Sequence, residues 1–188
     1  MPRAGLTPEK VVREAADVAD ELGWDRLTLA AVAERLGVRL PSLYKHVASL
    51  EALRSGVRTH ATRELAEAMR SAALGCAGGQ ALRAVAVAYR DFAHRHPGLY
   101  EASIPAPSAD DAEHVAAAAA AMEVIEAILR GYRLAGDDAI DAARALRAGL
   151  HGFVHLEAGG GFGLPVDVDR SYTRLVASLD TTLQGWAR

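Results

Sequence analysis

The sequence predicts an all-α protein of about nine helices, with a small three-helix head at the N-terminus and a larger helical domain behind it. Three observations carry this. Alanine dominates, followed by Leu, Val, Arg and Glu, while Ile, Thr and aromatic residues are sparse; Ala and unbranched side chains lose little freedom in a helix. Apolar residues recur at helical spacing, bracketed by Ser/Thr caps and Gly/Pro stops, with no strand-like alternation. Half of the 188 residues are hydrophobic, enough for one medium domain or a small domain plus a larger one.

The first helix is predicted to start at Thr7 as N-cap, with Pro8 in the first helical position and Glu9 in the first turn. Val12, Ala15, Ala16, Ala19 and Leu22 share its apolar face, and Gly23 ends it. Thr28 caps a short second helix with an inward stripe of Leu29, Val32, Ala33 and Leu36, stopped by Gly37. A third short helix runs from about 40 to 47, and Ser49 caps a long fourth one reaching Leu74. Further helices are expected over about 80–95 and Leu99–Ser103, then from a capping box at Ser108 and Asp111 to about Ala135. The last two run from Gly136 to Ala158 and, after the flexible GGGFGLP turn, from Asp167 to about Trp186.

Several classes of function are not supported. No apolar run reaches the roughly 18 residues that span a bilayer, and MPRAGLTPEK lacks the apolar core of a secretory signal. The single Cys76 cannot form an internal disulfide and fits a reducing compartment; a cytoplasmic location is expected. GGGFG lacks the Lys-Ser/Thr pair of a phosphate loop. No catalytic constellation is visible, so no enzyme and no cofactor are expected.

Net charge is −3, yet it is unevenly spread: residues 1–60 hold nine Lys/Arg against eight Asp/Glu, and residues 61–188 hold twelve against sixteen. A basic patch depends on placement more than on the sum, so the head is compatible with an anionic partner. The informative stretch is LTLAAVAERLGVRLPSLYKHVASLEAL, residues 27–53. Its two short helices are joined by Gly37-Val38, too tight a link for antiparallel packing, so they cross steeply as in a helix-turn-helix. In the second, Leu43 and Val47 face inward, whereas Ser42, Tyr44, Lys45 and His46 point outward with hydroxyls, a positive charge and an aromatic edge. That set suits phosphates and base edges in a major groove. Pro41 is harmless so early in a helix, where N–H groups have no acceptor.

These residues resemble the TetR family of transcriptional regulators. The likeness lies in LTLAAVAERLGV, LPSLYKHV and SLEAL, and above all in the LYxH pattern at Leu43-Tyr44-Lys45-His46; it is strong over residues 8–70. Beyond them, HPGLYEASI at 96–104 and GLHGFVHLEAGGGF at 149–162 resemble a C-terminal variant of the family called WHG. The resemblance implies a DNA-binding domain over residues 1–60, with the recognition helix at about 40–47, and a ligand-binding and dimerisation domain over 61–188. Carried across, it implies that Thr28 meets backbone phosphate, that Leu40, Pro41 and Ser42 meet bases or sugar, and that Tyr44 and His46 meet phosphates. Lys45 would meet a phosphate or base, and Arg39 can reach a phosphate or guanine edge. Three departures stand out: Ala30 and Leu50 replace residues that are often basic, and Arg147 stands where a Trp is usual. The first two remove phosphate contacts and imply modest affinity.

The same resemblance implies a homodimer that binds double-stranded, near-palindromic operator DNA and releases it when a mostly apolar small-molecule inducer binds, which makes the protein a repressor. Tyr89, Phe92, Tyr100, Met122, Ile125, Leu129, His151 and His155 are the expected inducer contacts. Dimer contacts are expected from Ala142, Ala145, Leu146, Gly149, Leu150 and Phe153, together with Tyr172, Leu175, Val176, Leu179, Leu183 and Trp186. His151 and His155 are also at metal-ligand spacing, with Glu157, His94 and His114 as the available third ligands. A packing and pocket role for His151-Gly152 is the simpler reading, and no metal is expected. A helical ligand-sensing module with an inactive head stands as the alternative.

Overall fold

The computed structural model describes residues 5–186; positions 1–4 and 187–188, at the outer edges of the two expected domains, lie outside the described residues. Nine α-helices and no strand occur among them: α1 (Pro8–Leu22), α2 (Leu29–Arg35), α3 (Leu40–Leu43), α4 (Leu50–Ala73), α5 (Gly78–Arg95), α6 (Pro97–Ser103), α7 (Ala112–Arg130), α8 (Gly136–Ala158) and α9 (Val168–Trp186). A single 3-10 turn, Trp24–Arg26, lies between α1 and α2. The chain forms two compact units. One, the head unit, takes the residues through Leu65 together with Arg95–Ala118; the other takes Ala66–His94 and the residues from Ala119 onward.

In the head unit the predicted caps are made. The Thr7 hydroxyl accepts from Lys10 N–H and that of Thr28 from Ala31 N–H, both at 3.2 Å, and that of Ser49 from Ala52 N–H at 3.0 Å. Gly37, at φ +64°, closes α2 with two reverse bonds, its own N–H to the Glu34 carbonyl and that of Val38 to the Ala33 carbonyl. On α1 the buried set is Val11, Ala15, Ala16, Val18 and Ala19. Val12 is half-buried against Gly56 of α4, and Leu22 is exposed rather than inward. α6 crosses α1 at Gly98, where an added Cβ would lie 2.2 Å from the Ala19 carbonyl. Asp20 of α1 fastens that crossing: one carboxylate oxygen accepts from Leu99 N–H at 2.9 Å and the other lies 2.8 Å from His96 Nδ1.

The helix expected over about 40–47 is α-helical over Leu40–Leu43 and continues as a turn through His46. There the His46 N–H shortens its bond to the Leu43 carbonyl, three residues back. The cap of α7 is Asp111, whose Oδ1 accepts from His114 N–H at 3.0 Å; Ser108 supplies only a backbone carbonyl to Asp111. α7 stops at Arg130, short of Ala135, because Arg133 adopts a left-handed φ of +61° and Leu134 N–H turns back to the Leu129 carbonyl.

In the second unit α8 and α9 pack on each other. Ala142, Leu146, Leu150, Tyr172, Val176 and Leu183, expected as dimer contacts, are all buried within the chain itself. An amphipathic face buries against the first apolar surface available, and here that is the neighbouring helix. Trp186 is exposed, and Ala145, Gly149, Phe153, Leu175 and Leu179 are half-buried. The strongest polar feature is Arg90 of α5. It holds Glu157 of α8 through two bonds of 2.8 and 2.5 Å and Asp169 of α9 at 2.7 Å, and it stacks on Tyr172 at 4.9 Å.

Candidate nucleic-acid interface

Anchors and exposed side chains separate cleanly on α3 and its following turn. Leu43 is fully buried and Val47 nearly so. Around them Arg39, Leu40, Pro41, Tyr44 and Lys45 are exposed, with Tyr44 52% accessible, while Ser42 and His46 are half-buried. Burying Leu43 and Val47 on one side turns Tyr44 and Lys45, one and two steps on from Leu43, outward, since successive helical positions diverge by about 100°.

Thr28 is exposed at the start of α2. Because its oxygen already accepts from Ala31 N–H, its hydroxyl proton is free to point outward to a phosphate oxygen. Charge is distributed selectively. Arg35 is neutralised by three α1 carboxylates, Glu21 at 2.7 Å, Glu14 at 3.2 Å and Asp17 at 3.7 Å. Arg39 and Lys45 form no ion pair among the described residues, so their charges remain available to an external anion.

The structure adds residues that periodicity could not reveal. The guanidinium groups of Arg54 and Arg58, one turn apart on α4, sit 5.5 and 5.6 Å from the centre of the Trp24 ring. Arg54 also donates to the Asp25 carbonyl at 3.4 Å. They grip the 3-10 turn that leads into Thr28. An Arg-x-x-x-Arg spacing is visible in the sequence; its aromatic target, thirty positions away, is not.

The expected inducer contacts divide between the two units. Tyr100 is buried on α6 in the head unit. In the other unit Phe92 and Leu129 are buried, Tyr89, Met122, Ile125 and His151 are half-buried, and His155 is exposed. The His151 and His155 rings lie 5.6 Å apart. Burial holds the His151 imidazole below its ordinary pKa, and His155 and Arg147 push it the same way. No cluster of three metal-ligating side chains exists among the described residues. His94 instead meets Glu157 at 3.0 Å, and His114 lies in the head unit, 3.3 Å from the Thr62 hydroxyl.

Two short helices crossing at a tight glycine turn, with the second presenting cations and hydroxyls, define a helix-turn-helix DNA-binding regulator. The comparisons agree. A family profile described as "Tetracyclin repressor-like, C-terminal domain" matches residues 82–179. An uncharacterized HTH-type transcriptional regulator of Mycobacterium tuberculosis is 40% identical over 177 residues, covering 94% of this chain and 81% of its own length. Two solved structures share the fold. BioQ of Mycobacterium smegmatis, solved with its double-stranded DNA operator, is 22% identical with a TM-score of 0.64, over 96% of this chain and 99% of its own. The Q116A form of TetR from Acinetobacter baumannii AYE, solved with minocycline, is 22% identical with a TM-score of 0.59, over 97% and 95%. The chain belongs to the TetR family. It is a DNA-binding transcriptional regulator, and its family is one of regulators rather than enzymes.

Proposed function

We infer that the protein is a repressor. As a homodimer it binds a near-palindromic operator through Thr28, Arg39, Leu40, Pro41, Ser42, Tyr44, Lys45 and His46, and a mostly apolar small molecule releases it. The observation that carries this reading is the split between the buried Leu43 and Val47 and the exposed Arg39 and Lys45, without ion pairs among the described residues, beside Tyr44. A cation left without an internal partner on the outward side of a helix-turn-helix favours a polyanion. Two such helices in a dimer would enter successive major grooves about 34–36 Å apart.

Residues 1–60 serve as the DNA-binding domain and 61–188 as the effector and dimer domain. Of the expected inducer contacts, Tyr89, Phe92, Met122, Ile125, Leu129, His151 and His155 share the second unit and are the ones that hold the inducer. BioQ bound to its DNA operator, and TetR-Q116A from Acinetobacter baumannii AYE in complex with minocycline, share this fold and support the division. As a DNA-bound regulator the protein works in the cytoplasm; no helix among the described residues is long and apolar enough to cross a membrane.

In vitro selection of duplexes by the purified protein tests the reading. Selected sites should be two-fold symmetric, and Tyr44→Ala and Lys45→Ala should each abolish or strongly weaken the gel shift. Unchanged binding by both variants would remove α3 from the interface.

A further inference from the structure

Next to the arginines that stack on Trp24, α4 is fastened to the first turn of α7 within the head unit by two polar contacts. Ser55 donates to Asp111 Oδ2, and the Thr62 hydroxyl lies 3.3 Å from His114 Nε2. His114 is only 3% exposed. Its tautomer follows from its neighbour. Thr62 has one hydroxyl proton and donates it to the Arg58 carbonyl at 2.9 Å, so toward His114 it can only accept. Nε2 therefore carries the proton of a neutral ring and Nδ1 is bare.

The surroundings do not welcome a second proton. Both oxygens of Asp111 are engaged, Oδ2 by Ser55 and Oδ1 by the His114 N–H. Arg58 shares the site, with Glu51 as its own ion partner at 2.7 Å. Arg63 and Glu113 pair with each other at 3.2 Å on the exposed flank. Burial and the Arg58 charge hold the imidazole below its ordinary pKa, against the pull of Asp111. The ring is reachable all the same: His114 lines a cleft of about 420 Å³ together with Ser55, Arg58, Pro105, Ala106 and Asp111.

We propose that Ser55, Thr62, Asp111 and His114 form a polar latch that positions α4 for DNA binding, and that protonation of His114 at Nδ1 releases it. These are positioning residues, and the proposal rests on the reading of α3 as the DNA-contacting helix. α4 is the common member. Its N-terminal half grips the turn before Thr28 through Arg54 and Arg58, while Ser55 and Thr62 grip α7. Losing the α7 side frees α4 to shift and carries the Trp24 turn with it.

The sign is fixed by linkage. A closed latch disfavours the imidazolium relative to an open one, so acid favours opening. With an open ring of ordinary imidazole pKa, about 6.5, the opening constant rises by at most about tenfold between pH 7.5 and 5.5. The head holds further histidines, His46, His60 and His96, so the comparison is with His114→Gln, which keeps a donor for Thr62 and cannot charge. Two readouts on the full chain decide the matter: deuterium exchange of the amides of residues 114–118, and affinity for a duplex obtained by in vitro selection. From pH 7.5 to 5.5 the ratio of wild-type to His114→Gln exchange rates should rise, by up to about tenfold, and the ratio of their Kd values should rise with it. Thr62→Val, which deletes the acceptor, should show fast exchange and weakened binding already at pH 7.5. It decides the case if His114→Gln does not fold. Constant ratios, or unperturbed Thr62→Val, overturn the latch. Exchange that responds while Kd ratios stay level overturns its control of DNA binding. If no duplex is ever selected, the assignment of α3 fails instead, and exchange alone judges the latch.

Discussion

Replacing Gly98 by Ala should be among the most damaging small substitutions in the head. The new Cβ would lie 2.2 Å from both the carbonyl carbon and oxygen of Ala19 and 2.7 Å from Asp20 N. All three are backbone atoms of α1, so no side chain can swing away. Restoring a contact of about 3.5 Å requires α6 to retreat from α1 by more than 1 Å. That retreat stretches the Leu99 N–H bond to Asp20, now 2.9 Å, beyond useful length. A hydrogen bond to a charged group contributes about 1.5–3 kcal/mol and overpacking costs about 1–3 kcal/mol. The His96 contact is half-exposed and adds little after screening. The expected loss is about 3–5 kcal/mol, read as a lowered urea midpoint by circular dichroism. Gly152→Ala is the control: a Cβ there meets nothing within 4 Å, and the change should be neutral or stabilise by up to about 1 kcal/mol. A Gly98→Ala loss below 1 kcal/mol would refute the close crossing of α1 and α6.

Arg39→Ala and Lys45→Ala should each reduce the slope of log K against log salt by about one and weaken all duplexes alike if they contact phosphate; titrations at several salt concentrations measure this, and an unchanged slope excludes the contact. Arg90→Ala leaves Glu157, whose carboxyl is held below its usual pKa chiefly by hydrogen bonds from Arg90, with His94 alone, and should cost about 1–3 kcal/mol near neutrality. Because the folded pKa is depressed, the Arg90 contribution is present above the ordinary glutamate range and is lost as pH falls below it through the depressed value. Unfolding curves of wild type and Arg90→Ala should therefore converge in acid; parallel curves would refute the pairing. Thr28→Ala should cost about 1 kcal/mol through the lost α2 cap, visible as a lowered urea midpoint.

Local rules made much of the architecture legible. Thr7, Thr28 and Ser49 cap helices because the chemistry of a cap lies within three residues of it, and Gly37 ends α2 for the same reason. The exposed set on α3 was readable from the phase of Leu43 and Val47. Where two local solutions compete, sequence cannot choose: Ser108 and Asp111 can both cap α7, and packing against Ser55 selects Asp111. The end of α7 escaped because its left-handed residue is Arg133, where glycine is the usual signal. A one-residue shift of phase hid Val11 and Val18 and misplaced Leu22. Apolar stripes on α8 and α9 show that they are covered but not by whom, so contacts within one chain read like contacts between two. Pairings across long stretches of chain, such as Arg35 with the α1 acids, Trp24 with Arg54 and Thr62 with His114, leave no periodic trace at all.

The placement of the two tryptophans has a practical consequence. Trp24 is half-buried beneath two α4 guanidinium groups in the head unit, and Trp186 is exposed at the end of α9 in the other. Substituting Trp186 by Phe leaves one indole, whose emission then follows the spacing between α4 and the turn before Thr28. The chain thus carries a built-in optical gauge for its own head, usable in solution without any attached dye.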